Sequence, residues 1–96
     1  MLHIDEDLEV LKKFPDKYFD WAYIDSSHKY EHTKNELELL KHKVKDSGVI
    51  AGDDYYPEEK HRHHGVYKAV RKFLLSNPYK LSYSSLTDRQ WALIRD

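Results

Sequence analysis

The sequence predicts an α/β fold built on a mixed, mainly parallel sheet. Three observations lead to this prediction. Two short apolar runs each end on an aspartate, helical patterns alternate with them, and two further apolar runs close the chain as a hairpin. Strands that alternate with helices form βαβ units, in which the crossover makes the two strands parallel. A chain of 96 residues supplies one small core, so residues 1–96 are expected to form a single domain.

The first half of the chain contains a helix, a strand and a second helix. Residues 5–14 begin with acidic side chains and continue with apolar residues at helical spacing, which predicts a short helix ended by Pro15. Residues 19–24 are almost continuously apolar, as in a strand covered on both faces. From Tyr30 to Val44 the apolar residues form one stripe, which predicts an amphipathic helix of about four turns.

The second half begins with a short strand. Residues 49–51 are apolar and lie between two glycines, which is typical of a buried strand. The charged stretch at 55–64 predicts a solvated loop, and the apolar stripe of residues 65–77 predicts another amphipathic helix. Residues 79–86 and 90–94 read as an antiparallel hairpin.

Composition argues against several classes of protein. The absence of cysteine removes disulfides and fits a reducing compartment, so we expect a cytoplasmic protein. Sixteen basic and seventeen acidic residues give a net charge of -1, which provides no field to attract nucleic acid. No apolar run approaches the about 20 residues of a membrane span, and no signal peptide is visible after Met1. Neither nucleic acid nor membrane is therefore an expected partner.

The strongest candidate site lies at the ends of the first two predicted strands. Asp25 and Asp53 each follow a strand, and one helical crossover joins the strands. Both carboxylates are therefore expected side by side at the carboxyl edge of the sheet. Asp54 and His28 add ligand groups in the same loops, and Mg²⁺ would relieve the repulsion between close carboxylates. The structural alternative is that these aspartates cap helices or form turns.

A histidine cluster and many aromatic residues are also conspicuous. For His61, His63 and His64 a solvated loop is favoured over a metal site, because no second ligand group stands at a defined spacing. By its position this loop could close over the carboxyl edge as a lid. The aromatic residues are expected to pack in the core, with Tyr55 and Tyr56, next to the carboxylates, as exceptions.

The segment FDWAYIDSSHKYEHTKNELELLKHKVKDSGVIAGDDYY resembles the second half of class I S-adenosylmethionine-dependent methyltransferases. The resemblance is to the small-molecule O-methyltransferase-like branch, in which one strand ends in I-D-G-x-H and the next has the form G-G-x-x-x-x-D-D. The segment HGVYKAVRKFL is similar to the next helix of that branch, and the closing hairpin is similar to its last two strands. Ser26 and Ser47 stand where the family has glycines.

The resemblance implies a partial Rossmann-like methyltransferase fold with three layers and a mixed sheet of about four strands. The implied sheet has the strand that starts at Phe19 on one edge, followed by the strands that contain Val49, Trp91 and Tyr79. The Trp91 strand is expected to be the antiparallel one.

The resemblance also implies a site and a reaction. Asp25 and His28 stand at catalytic positions, while Glu6 and Asp25 stand near the S-adenosylmethionine cofactor. In cation-dependent relatives, the positions of Asp25, Asp53 and Asp54 hold a divalent cation such as Mg²⁺. The implied reaction is an in-line methyl transfer to a hydroxyl or similar group of a small-molecule substrate.

The glycine-rich loop that binds the methyl donor in this family has no counterpart in the sequence. The chain is therefore expected to be a C-terminal half, and two interpretations remain. It is part of a methyltransferase, truncated or completed by another chain, or it is a non-catalytic remnant that acts as an oligomerising interaction module. Without a neighbouring strand, residues 19–24 are expected to form an exposed edge. This predicts a homodimer through that edge and the helix at 5–14, with residues 2–4 swapped between copies.

Overall fold

The computed structural model describes residues 2–4, 8–25 and 29–96, with five strands and three helices among them. For residues 2–4 only the backbone is described. The elements are β1 (Leu2–Ile4), α1 (Leu8–Lys12), β2 (Phe19–Ile24), α2 (Tyr30–Lys43), β3 (Val44–Gly52), α3 (His64–Ser76), β4 (Tyr79–Ser84) and β5 (Trp91–Arg95).

The strands form one mixed sheet in the order β1-β2-β3-β5-β4. Strands β1, β2 and β3 are parallel, and β5 runs antiparallel to both of its neighbours. The predicted partial Rossmann-like α/β fold is confirmed, including the order of its four main strands and the closing hairpin. Strand β3 begins earlier than predicted, because Val44 pairs with Phe19 before the register shifts.

The expectation that β2 is an exposed edge strand is wrong. Leu2 pairs in parallel with Ala22, and Ile4 pairs with Ile24, so β1 covers the backbone edge of β2 within the same chain. Residues 2–4 thus pair with β2 of their own chain, and the homodimer stays a prediction. A three-residue strand adds few hydrogen bonds, but it moves the open edge of the sheet from β2 to β1.

The described helices pack on one side of the sheet. Helix α2 contacts both α1 and α3, and the core unites these helices with alternate residues of β2, β3 and β5. The two sides of the sheet are named here by their residues. The covered face, against the helices, consists of Ala22, Ile24, Ile50, Trp91 and Leu93, and the open face consists of Trp21, Tyr23, Val49, Ala92 and Ile94.

The layer count differs from the prediction. No described helix covers the open face, where the Trp21 side chain is 42% exposed, so this part of the chain has two of the three expected layers. None of the described helices is long and apolar enough to cross a membrane.

Candidate functional site

The carboxyl edge of the sheet brings two predicted site residues together. Ile24, the last residue of β2, pairs with Gly52, the last residue of β3. Asp25 and Asp53 directly follow these two residues. The two aspartates therefore follow adjacent parallel strands at the same level of the sheet. Adjacent strands lie about 4.8 Å apart. Asp25 is exposed, whereas Asp53 is half-buried.

Tyr23 places a hydroxyl group beside these carboxylates. Its Oη accepts a hydrogen bond of 3.2 Å from Gln90 Nε2. Burial raises the pKa of Tyr23 above its ordinary value of 10.0, and the negative charges of Asp53, Asp25 and Asp54 raise it further, while the Gln90 bond acts in the opposite direction. Burial is thus the largest cause of the raised pKa of Tyr23, and the three nearby carboxylates add to it.

Specific contacts fix the backbone at Asp53 and Asp54, the two residues that directly follow β3. Trp91 Nε1 donates a hydrogen bond of 3.0 Å to the carbonyl oxygen of Asp53, which ties the end of β3 to β5. Asp54 then adopts a φ of 62°, in the left-handed region that residues with a side chain rarely occupy. Its Oδ1 lies 3.3 Å from His63 Nδ1, and each of the two side chains is only 20% exposed.

The structure does not support the predicted divalent cation site. Within the described ranges, no group of three or more histidine and acidic side chains is placed to hold a metal ion. Asp25 and Asp53 share an edge, but the Asp54 carboxylate lies against His63 of the following loop. A turn with positive φ directs Asp54 to that partner, which agrees with the structural alternative in which the aspartates form turns.

The remaining predictions for this edge concern Glu6, His28 and the capping of α2. Glu6 and His28 lie outside the described residues. The cap position of α2 is Lys29, so Asp25 is not the N-cap residue of this helix.

The histidine loop is solvated at its charged residues and partly covered at its rings. Glu58, Glu59, Lys60 and Arg62 are exposed, as predicted for this stretch, whereas His61, His63 and His64 are half-buried. The His61 ring stacks on Tyr56 with ring centres 3.7 Å apart, and the His64 ring lies 5.4 Å from that of Tyr67. The expectation of a solvated loop therefore does not extend to the histidine rings, which contact aromatic neighbours.

The two tyrosines that follow the carboxylates have separate roles. Tyr55 is 5% exposed and belongs to the core, where its ring lies 4.8 Å from that of Tyr67. Tyr56 is half-buried outside the core and contacts Arg89 as well as His61. Tyr23, Arg89 and Gln90 were not among the site residues predicted from the sequence. Only Tyr23 had a usable signal, since it lies two residues before Asp25 on the same side of a strand.

A comparison with protein families identifies residues 1–55 as a methyltransferase domain. No curated protein sequence matches the chain.

Among solved structures, the chain is similar to an O-methyltransferase from Bacillus cereus that was crystallised in complex with SAH. The sequence identity is 14%, the TM-score is 0.58, and the match covers 92% of this chain and 46% of the other protein. The likeness supports the fold. The chain spans less than half the length of this O-methyltransferase.

Proposed function

The chain belongs to the methyltransferase domain family, and on that basis we propose that it forms the C-terminal half of a methyltransferase that uses S-adenosylmethionine. The family match covers 55 of the 96 residues. The proposed acceptor is a hydroxyl or similar group of a small molecule, in line with the O-methyltransferase that the fold resembles. We further propose a cytoplasmic location, in line with the absence of cysteine.

The observation that carries this proposal is the negative potential at the carboxyl edge of the sheet. Asp25 and Asp53 follow the paired ends of β2 and β3, and their charges, with that of Asp54, add to burial in raising the pKa of Tyr23. The methyl donor carries a positive sulfonium, and such a field attracts it. Ligands of open α/β sheets also bind at this edge. We propose that Asp25 contacts the donor and that Glu6 lies near its adenine.

The proposed chemistry is a single in-line displacement. An acceptor oxygen attacks the methyl carbon, the bond from that carbon to sulfur breaks, and its electron pair stays on the sulfur as S-adenosylhomocysteine forms. The hydroxyl proton leaves to a base, and Asp25 and His28 are the proposed catalytic residues. Their contribution would be orientation of the acceptor and removal of its proton.

We propose that further polypeptide supplies the remaining part of the donor site. The chain spans 46% of the similar O-methyltransferase, so about as much chain again accompanies this half in that protein. We propose that a polypeptide with the rest of the fold packs on the open face and pairs with the free edge of β1. The open face suits such a partner because Trp21, Val49 and Ile94 present apolar surface that no described helix covers.

The proposed activity is tested by NMR titration of the isotope-labelled chain with S-adenosylhomocysteine and S-adenosylmethionine. We expect shifts at the amides of Asp25 and Asp53, and weaker binding in Asp25→Asn. The matched control is Asp16→Asn, which removes another exposed aspartate close to α1. Equal binding by both variants, or no shift at millimolar ligand, would contradict the proposal.

The second candidate function is a non-catalytic interaction module. It is favoured by the uncovered open face together with the 46% coverage. The same titration separates the two functions, because an interaction module binds its partner without binding the donor. Self-association of the chain through the open face, measured by light scattering across a dilution series, would identify a second copy as the occupant.

A further inference from the structure

The turn of the terminal hairpin reaches the loop at residues 53–63 that follows β3. Arg89, in this turn, accepts a hydrogen bond of 2.9 Å at its carbonyl oxygen from the Tyr55 N–H. The Arg89 N–H in turn donates to the carbonyl oxygen of Ser85 over 3.0 Å. Arg89 has a φ of 59°, so its backbone is in the left-handed region and is held there by its neighbours. The backbone of Arg89 is therefore held beside the loop, and its side chain extends from there.

The Arg89 side chain makes two contacts with the loop. The centre of its guanidinium lies 4.5 Å from the centre of the Tyr56 ring. Its Nη1 donates to both carboxylate oxygens of Glu58, over 3.0 and 3.3 Å. A planar guanidinium can stack on an aromatic ring and bind a carboxylate together, which the ammonium of lysine does less well.

The contacts continue from Tyr56 to the acidic edge of the sheet. The His61 ring is stacked on Tyr56 with an angle of 5° between the ring planes. His61 Nδ1 accepts a hydrogen bond of 3.0 Å from the His63 N–H. His63 Nδ1 lies 3.3 Å from Asp54 Oδ1. One continuous set of contacts thus connects Arg89 with Asp54.

We propose that Arg89 is a positioning residue of the site: through Tyr56 and His61 it holds His63 beside Asp54 at the carboxyl edge. The significance of this placement for methyl transfer rests on the proposed function, but the placement itself requires no ligand. Arg89, Tyr56, His61 and His63 are half-buried and lie outside the hydrophobic core. Their contacts therefore determine where the loop lies and contribute little to the global stability of the fold.

The test compares Arg89→Ala with Arg62→Ala, which removes an exposed arginine of the same loop. NMR signals of the His61 ring protons report its stacking on Tyr56, and amide hydrogen exchange reports the order of residues 55–64. In Arg89→Ala we expect the His61 signals to move towards those of free histidine and loop exchange to rise about tenfold, with an unchanged unfolding midpoint. Arg62→Ala should change neither signal, and Arg89→Lys should restore only part of the parent behaviour.

Unchanged His61 signals and loop exchange in Arg89→Ala would overturn the proposal. A lower unfolding midpoint with faster exchange throughout the sheet would also overturn it, because Arg89 would then stabilise the whole fold. If Arg89→Ala does not fold, Glu58→Gln weakens the Arg89 contact without altering the hairpin turn, and the same loop signals decide. Titration with S-adenosylhomocysteine is a separate measurement. If the parent chain does not bind this ligand but Arg89→Ala still loosens the loop, only the proposed function is refuted.

Discussion

The covered and open faces of the sheet consist of alternate residues of the same strands, yet their environments differ sharply. Ala22 is completely buried, whereas the preceding Trp21 is 42% exposed. Leu93 is completely buried, and the following Ile94 is only half-buried. Both faces are apolar, so the difference arises from the described helices, which lie on one side. The covered face contributes the core of the fold, while no described helix packs on the open face.

The largest expected effect is on the covered face. Leu93→Ala removes a completely buried side chain from the centre of the core, and we expect a loss of about 3 kcal/mol in the free energy of unfolding. Ile94→Ala, on the open face, should cost about 1 kcal/mol or less. Urea denaturation measures both values. Equal losses would show that Ile94 is also buried in solution, and therefore that a second copy covers the open face.

A glycine on β3 gives a second test of how tightly the covered face is packed. A Cβ atom on Gly52 would lie 2.6 Å from Trp91 Cζ2, and the Trp91 side chain is only 1% exposed. Gly52→Ala should therefore cost about 1–3 kcal/mol through overpacking. Ser47→Ala, at an exposed position of the same strand, should stay within about 0.5 kcal/mol of the parent chain. A neutral Gly52→Ala would mean that the Trp91 ring moves readily.

The two tryptophans allow a direct comparison of the faces by fluorescence. Trp21 is 42% exposed on the open face, and Trp91 is 1% exposed on the covered face. In Trp91→Phe, the fluorescence of the remaining Trp21 should be quenched by acrylamide several-fold more efficiently than that of Trp91 in Trp21→Phe. Protection of Trp21 in the isolated chain would instead point to self-association, which light scattering across a dilution series would detect.

The smallest expected effect concerns the tyrosine at the carboxyl edge. Burial and then Asp53 raise the pKa of Tyr23, so Asp53→Asn should lower this pKa, whereas Gln90→Ala should raise it. Because the folded-state pKa lies above the ordinary 10.0, the neutral phenol stabilises the fold below pH 10.0, and this contribution is lost as the pH rises through the folded-state pKa. Ultraviolet titration measures the pKa, with Tyr23→Phe to identify the signal. No change in Asp53→Asn would remove the evidence that the Asp53 charge acts on this edge.

Local sequence patterns determined most of the fold. The helical spacing of apolar residues in α2 predicts a helix, and the short continuous apolar run of β2 predicts a strand. The order of these elements then implies a crossover between parallel strands. The adjacency of Asp25 and Asp53 followed from this topology alone. Strand β1 was missed because three residues carry no detectable period, and that omission led to the wrong prediction of an open edge at β2.

Only the tertiary structure decided which surfaces are covered and which side chains meet at the site. Strand β2 is apolar on both faces, so its pattern predicts cover on both, but the arrangement of the helices leaves Trp21 exposed. Tyr23 and Gln90 are separated by 67 positions and meet through the return of β5 to β3. Asp54 and Arg89 adopt left-handed conformations although neither is a glycine; Asp54 contacts His63 within one loop, whereas Arg89 contacts Tyr56 of a distant segment. Contacts of this kind depend on how the elements pack, which no local pattern of residues encodes.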